Sequence, residues 1–115
     1  MSNRPVQLLT EDIYDAVGRI ENYTRGMSFD TFAGDEKSVD AVVRNLEIIG
    51  EAANRLPEEF REKHSAIEWY KIIGLRHRIV HEYFGVDVGI IWQVVQHDLP
   101  IFKSALHGVR KQLGL

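Results

Sequence analysis

An all-α fold, an up-down helical bundle of four long helices plus a short one, is what this sequence predicts, and three observations predict it. Apolar residues recur at steps of three and four along four long stretches. Gly26, Gly34, Pro57 and Gly85 fall in the gaps between those stretches. No stretch alternates apolar and polar residues with the period of two that a half-buried strand shows. Residues 1–115 read as a single domain, because a chain with 44% apolar residues can bury one core.

The first helix is expected from about Val6 to Arg25. Pro5 suits a helix start, and Leu9, Ile13, Val17 and Ile20 mark one face. Gly26 should end it, and Gly26 to Gly34 read as a loop. The second helix is expected from Asp35 or Lys37 to Arg55. Its seam of Val39, Val42, Leu46, Ile49, Ala53 and Leu56 alternates steps of three and four. Pro57 interrupts the chain, and Glu58 to Lys63 fit a short helical turn. The third helix is expected from Ile67 to Phe84, lined by Trp69, Ile72, Ile73, Ile79, Val80 and Tyr83, with Gly85 as its stop. The fourth starts after Asp87, an expected N-cap, and runs to about Leu113. Ile91, Val95, Phe102, Leu106 and Val109 keep the period. Pro100 cannot donate to the carbonyl of Gln96, so a kink is expected there.

Composition narrows the function. The chain has no cysteine, which removes disulfides and a thiol nucleophile and fits a cytoplasmic location. The N-terminus is polar and carries no signal-like apolar run, and no stretch reaches membrane-spanning length. A net charge of −3 argues against coating nucleic acid by bulk electrostatics. Between Lys71 and Tyr83, however, Lys71, Arg76, His77, Arg78 and His81 face only Glu82. A local basic patch on an acidic body suits an enzyme that holds a few phosphates.

On a continuous helix His77 and His81 share a face, and Arg76 and Tyr83 share a neighbouring one. Arg78 and Glu82 would make an ordinary surface pair. Several readings of this set stand side by side. It can be a solvated helix edge. His77 and His81 can be metal ligands at i and i+4, although no third ligand is evident. Or the set can cleave RNA without a metal. That chemistry needs a base near neutrality for the 2′-hydroxyl, which His supplies. It needs fixed positive charge on the phosphate oxygens, which Arg supplies. It also needs an acid for the leaving 5′-oxygen, either His77 or a second copy of His81. Asn45 can face a cleft, but a solvated polar face accounts for Asn45, Glu47 and Glu51 alike, and none of them is assigned a catalytic role.

Arg76, His81 and Tyr83 form an Arg-x4-His-x-Tyr pattern inside Gly74-Leu75-Arg76 and Val80-His81-Glu82-Tyr83-Phe84-Gly85-Val86-Asp87. With Arg44 to Ala52 on the second helix and His97-Asp98-Leu99-Pro100 on the fourth, the sequence resembles the HepT-type toxins of the HEPN superfamily. The resemblance implies a four- or five-helix bundle that forms a homodimer. It implies a metal-independent endoribonuclease without a cofactor, belonging to a type II or type VII-like toxin–antitoxin pair. Arg76 would stabilise the phosphate and His81 would be the general acid/base, both copies meeting in a cleft between subunits. His77 stands where the family usually has another polar residue, often Asn or Asp, and would orient substrate or share the proton transfer. The implied partners are RNA and a minimal nucleotidyltransferase antitoxin (MntA-like) that AMPylates the motif tyrosine, Tyr83. The alternative is a non-catalytic adaptor subunit that binds substrate for a nucleotidyltransferase.

Overall fold

The computed structural model describes residues 4–81 and 85–115, and of His81 only the backbone. It is an all-α bundle. Its elements run α1 (Val6–Thr24), α2 (Phe29–Ala33), α3 (Glu36–Arg55), α4 (Glu58–Lys63), α5 (Trp69–Ile73), α6 (Leu75–Ile79), β1 (Val80–His81), β2 (Gly85–Val86), α7 (Val88–Gln93), a π turn (Val94–Asp98) and α8 (Leu99–Gln112).

The two stripes anticipated on α1 and α3 are the centre of the core. Leu9, Ile13, Val17 and Ile20 are buried against Val39, Val42, Leu46, Ile49 and Ala53. Phe102, Leu106 and Val109 of α8 close the same core. Two ion pairs set the direction of α8 on α1. Lys103 meets Glu21 and Arg110 meets Glu11, so the two helices run antiparallel. The Arg110 guanidinium also covers the Tyr14 ring at 3.9 Å.

The segment after Gly26 is not all loop. Ser28 accepts from the Thr31 N–H and the Thr31 hydroxyl accepts from the Ser28 N–H, a reciprocal cap that opens α2. Five residues are too few to show a helical period, which is why this helix escaped the sequence. It buries Phe32 with its ring 5.2 Å from that of Trp92. Asp35 caps α3 by accepting from the Ser38 N–H, and Asp87, the expected N-cap, caps α7 by accepting from the Ile90 N–H at 3.0 Å.

The third helix departs most from expectation. It breaks at Gly74 into α5 and α6 and stops at Ile79, not at Phe84. Val80 is already extended, at φ −103° and ψ 125°. β1 then pairs antiparallel with β2, Val80 opposite Val86 and His81 opposite Gly85, and the Asp87 N–H donates to the Ile79 carbonyl at 2.8 Å. Ile79 and Val80 are β-branched and lose little in an extended backbone. Gly85 sits at φ +77°, a conformation that any residue with a Cβ would adopt under strain.

Pro100 does not simply bend the fourth helix. The chain widens before it, and the Leu99 N–H reaches back five residues to the Val94 carbonyl. The extra residue in that turn accommodates the donor that Pro100 lacks and the bulk of its ring. No helix among the described residues is long and apolar enough to cross a membrane.

Candidate functional site

The basic cluster rides on α6. Buried Leu75 and Ile79 anchor this single turn to the core, which leaves Arg76, His77 and Arg78 exposed. α5 in front of it is held by a close approach to α3. A Cβ on Gly50 would lie 3.2 Å from the Ile72 carbonyl oxygen and 3.4 Å from that of Ile73. A side chain here would make the neighbouring backbone give by a few tenths of an ångström. The start of α5 is fixed by Trp69, whose indole N–H donates to the His64 carbonyl at 3.1 Å. His64 is itself buried, and burial, with Lys63 adding to it, pulls its pKa below the ordinary histidine value.

Arg76 faces α3. Its Nε lies 4.0 Å from Glu47 Oε2, with the two side chains 66% and 37% exposed. That is an ion pair without a hydrogen bond. Arg76 therefore keeps its guanidinium donors unused among the described residues. Glu47, expected on a solvated face, is the carboxylate that this cation approaches among the described residues. Asn45 does not lie on a solvated face either. It is 5% exposed, accepts from Arg19 Nε at 2.8 Å and donates to the Ala41 carbonyl.

Arg78 makes a different pair from the one expected. Its Nη1 meets Asp98 Oδ2 at 2.8 Å, and Asp98 stands on the π turn. The expected partner, Glu82, lies outside the described residues. The His97-Asp98-Leu99-Pro100 segment thus supplies a clasp that holds α6 to the fourth helix. A groove of about 540 Å³ opens beside this clasp, lined by Tyr70, Lys71, Leu75, Asp98 and Ile101 among others. Arg76 and His77 do not line it.

Because the helix ends at Ile79, one geometric expectation fails. His77 and His81 do not share a helix face, since His77 is on α6 and His81 is on β1. The expectation that Arg76 and Tyr83 share a face falls on a residue outside the described ones. The His81 side chain and Tyr83 lie outside the described residues. No group of three or more His, Cys, Asp or Glu side chains able to hold a metal ion occurs among the described residues. The chain does bring Arg76, His77 and the backbone of His81 to consecutive short elements, α6 and β1, at one end of α5. Asp98 was given no role from the sequence, and Glu47 was read only as part of a solvated face. Their only signal was membership in the two outlying segments that resemble the family.

The sequence that folds into this bundle and its exposed arginine-histidine turn matches a family model. That model, described as Ribonuclease HepT-like, matches residues 13–109, and the chain belongs to this HepT-like ribonuclease family. Among similar proteins, a “Probable ribonuclease HepT” of Thermococcus cleftensis is 42% identical over 101 residues, 88% of this chain and 92% of that protein. A “Putative RNase” of Caldanaerobacter subterraneus subsp. tengcongensis is 50% identical over 76 residues, 66% of this chain and 68% of that one. A protein of Methanocaldococcus jannaschii described as “Gamma-glutamylcyclotransferase and putative RNase” is 37% identical over 110 residues. The match covers 96% of this chain but 50% of that protein. No solved structure matches the chain.

Proposed function

We propose that this chain is an endoribonuclease that cleaves RNA without a metal, and that it is the toxin of a toxin–antitoxin pair. The observation that carries the reading is Arg76. It is a permanently charged fork in the family's motif position, exposed on a turn seated by Leu75 and Ile79, with its hydrogen-bond donors uncommitted among the described residues. A phosphate is the acceptor that such a fork suits.

In this reading the RNA phosphate sits on Arg76. His81 takes the proton of the 2′-hydroxyl as that oxygen attacks phosphorus. Negative charge on the non-bridging oxygens grows against the guanidinium. The P–O5′ bond breaks, and the leaving 5′-oxygen takes a proton from an acid. His77, or His81 of a second copy in a homodimer, fills that role. The products are a 2′,3′-cyclic phosphate and a free 5′-hydroxyl. The protein acts in the cytoplasm as a single domain.

Its silencing partner is a minimal nucleotidyltransferase that moves AMP from ATP to Tyr83, releasing pyrophosphate. An AMP on that residue brings negative charge and bulk close to the basic turn in sequence. Support for Tyr83 and His81 comes from family membership and the motif.

The deciding test is cleavage of RNA by the purified chain and its His81→Ala variant. Loss of cleavage with an unchanged melting temperature is expected, and retained cleavage would overturn the assignment. Intact mass, measured with and without the genomic neighbour coexpressed, tests the switch. One or more AMP units, lost in Tyr83→Phe, are expected. An unmodified mass beside a competent transferase would favour an adaptor or neutralisation by binding alone.

A further inference from the structure

Four arginines, Arg4, Arg19, Arg44 and Arg55, line a second hollow of about 230 Å³ between α1 and α3. Two of them are already neutralised at its rim. Arg4 meets Asp12 at 2.6 Å, and Arg55 meets Glu51 at 2.9 Å. Arg19 and Arg44 are different. Arg44 makes no side-chain hydrogen bond or ion pair among the described residues. Arg19 makes a single bond, from Nε to Asn45 Oδ1 at 2.8 Å. Asp15 adds one carboxylate to the hollow.

Asn45 makes this more than a chance gathering of surface charge. It is 5% exposed, and its amide nitrogen donates to the Ala41 carbonyl at 2.8 Å, which fixes its oxygen towards Arg19. A buried side chain thus aims one guanidinium and takes only its Nε–H. The Nη donors are left for a bidentate acceptor, the geometry that phosphate oxygens present. Arg44 stands next to Asn45 in sequence and supplies a second, unpaired fork on the same hollow.

The hollow also lies close to the candidate site. Arg44 and Glu47 are three residues apart on α3, on one face and about 4.5 Å apart along its axis. Glu47 is the residue that Arg76 approaches. One short stretch of strand can therefore touch both places.

We propose that Arg19 and Arg44 form a second phosphate subsite, which holds a backbone phosphate of single-stranded RNA adjacent to the phosphate on Arg76. The inference rests on the ribonuclease reading and extends it to substrate length. A dinucleotide reaches Arg76 alone, whereas a longer strand engages both subsites.

The test uses the full chain and non-cleavable 2′-O-methyl oligonucleotides, from a dinucleotide to a decamer, titrated across salt concentrations. Arg44→Gln should weaken decamer binding several-fold and leave the dinucleotide unaffected. The slope of log affinity against log salt for the decamer should fall by about 0.7, the single-strand value for one phosphate contact. Arg19→Gln should act in the same direction. Arg44 holds nothing else in place, so its variant should melt with the wild type. If the wild type binds and cuts RNA while Arg44→Gln matches it in affinity and slope at every length, the subsite is wrong and the ribonuclease reading stands. If the wild type binds no RNA at any length, both fall together.

Discussion

Replacing Gly50 by alanine adds one methyl group at the point where α3 and α5 come closest. The new carbon would lie 3.2 Å from the Ile72 carbonyl oxygen and 3.4 Å from that of Ile73. Both neighbours are backbone, so relief requires α5 to move as a body. Overpacking of this kind costs about 1–3 kcal/mol. Alanine also favours the helix over glycine by about 1 kcal/mol, which offsets part of that cost. The expected net effect is a destabilisation of about 0–2 kcal/mol. Gly18→Ala supplies the control. Gly18 lies within α1, and a Cβ there meets nothing within 4 Å. The same chemical change should stabilise at that site by about 0.5–1 kcal/mol. The two variants should therefore differ by about 1–3 kcal/mol with opposite or null signs, measured by urea denaturation. For a chain of this size that is roughly 4–12 °C in melting temperature. RNA cleavage should fall in Gly50→Ala and not in Gly18→Ala, because α5 leads directly into the turn that carries Arg76. Equal stabilisation by both substitutions would refute the claim that close backbone approach at Gly50 seats the site.

Glu47→Gln should leave the melting temperature nearly unchanged, because an exposed pair at 4.0 Å is worth about 0–1 kcal/mol. It should tighten RNA binding by removing a negative charge beside Arg76, and weaker binding in this variant would show instead that Glu47 positions the arginine. Asp87→Ala removes the cap of α7 and should cost about 1 kcal/mol in denaturant titration, whereas no loss would mean that the Ile90 N–H bond contributes nothing. His64 gives the protein an acid sensitivity. Its pKa is lowered in the fold by burial, so the unfolded chain takes up the proton first as pH falls, and stability drops below the ordinary histidine value of about 6.5. Thermal melts at about pH 7.5 and about pH 5.5 should show this loss in the wild type and a smaller one in His64→Phe, and an equal loss in both would clear His64 of the effect.

Long, periodic elements were legible and short ones were not, for a physical reason. α1 and α3 each show several turns of apolar repeat, and every seam residue picked from that repeat is buried. α2 has five residues and one buried side chain, so its Ser28–Thr31 cap carried the only signal. The run from Ile67 to Phe84 has a helical period in its apolar residues, yet tertiary contacts cut it at Gly74 and Ile79. Periodicity reports which faces are apolar and is silent on whether the backbone between them is continuous. That silence cost the helix-face geometry of His77 and His81. The identity of the motif residues did not depend on it, which is why the family could be read while their arrangement could not.

The broken helix has a consequence for how the site works. A continuous helix would fix Arg76 and His81 relative to each other through one hydrogen-bonded rod. Here they stand on separate elements, α6 and β1, each anchored from a different side. α6 is seated by Leu75 and Ile79 and clasped by the Arg78–Asp98 pair, with Gly50 allowing α5 to lie close behind it. β1 is held by its pairing with β2 and by the bond from Asp87 to Ile79. The π turn enters the same arrangement, because it is the element that carries Asp98 to Arg78. Close packing and paired charges are thus spent on the backbone beneath the motif. Among the described residues, Arg76 itself is held by one loose, mostly exposed ion pair. A fixed base under a loosely held cation leaves the last part of the geometry to be completed by what binds there, and a phosphate matches the unused donors of that guanidinium.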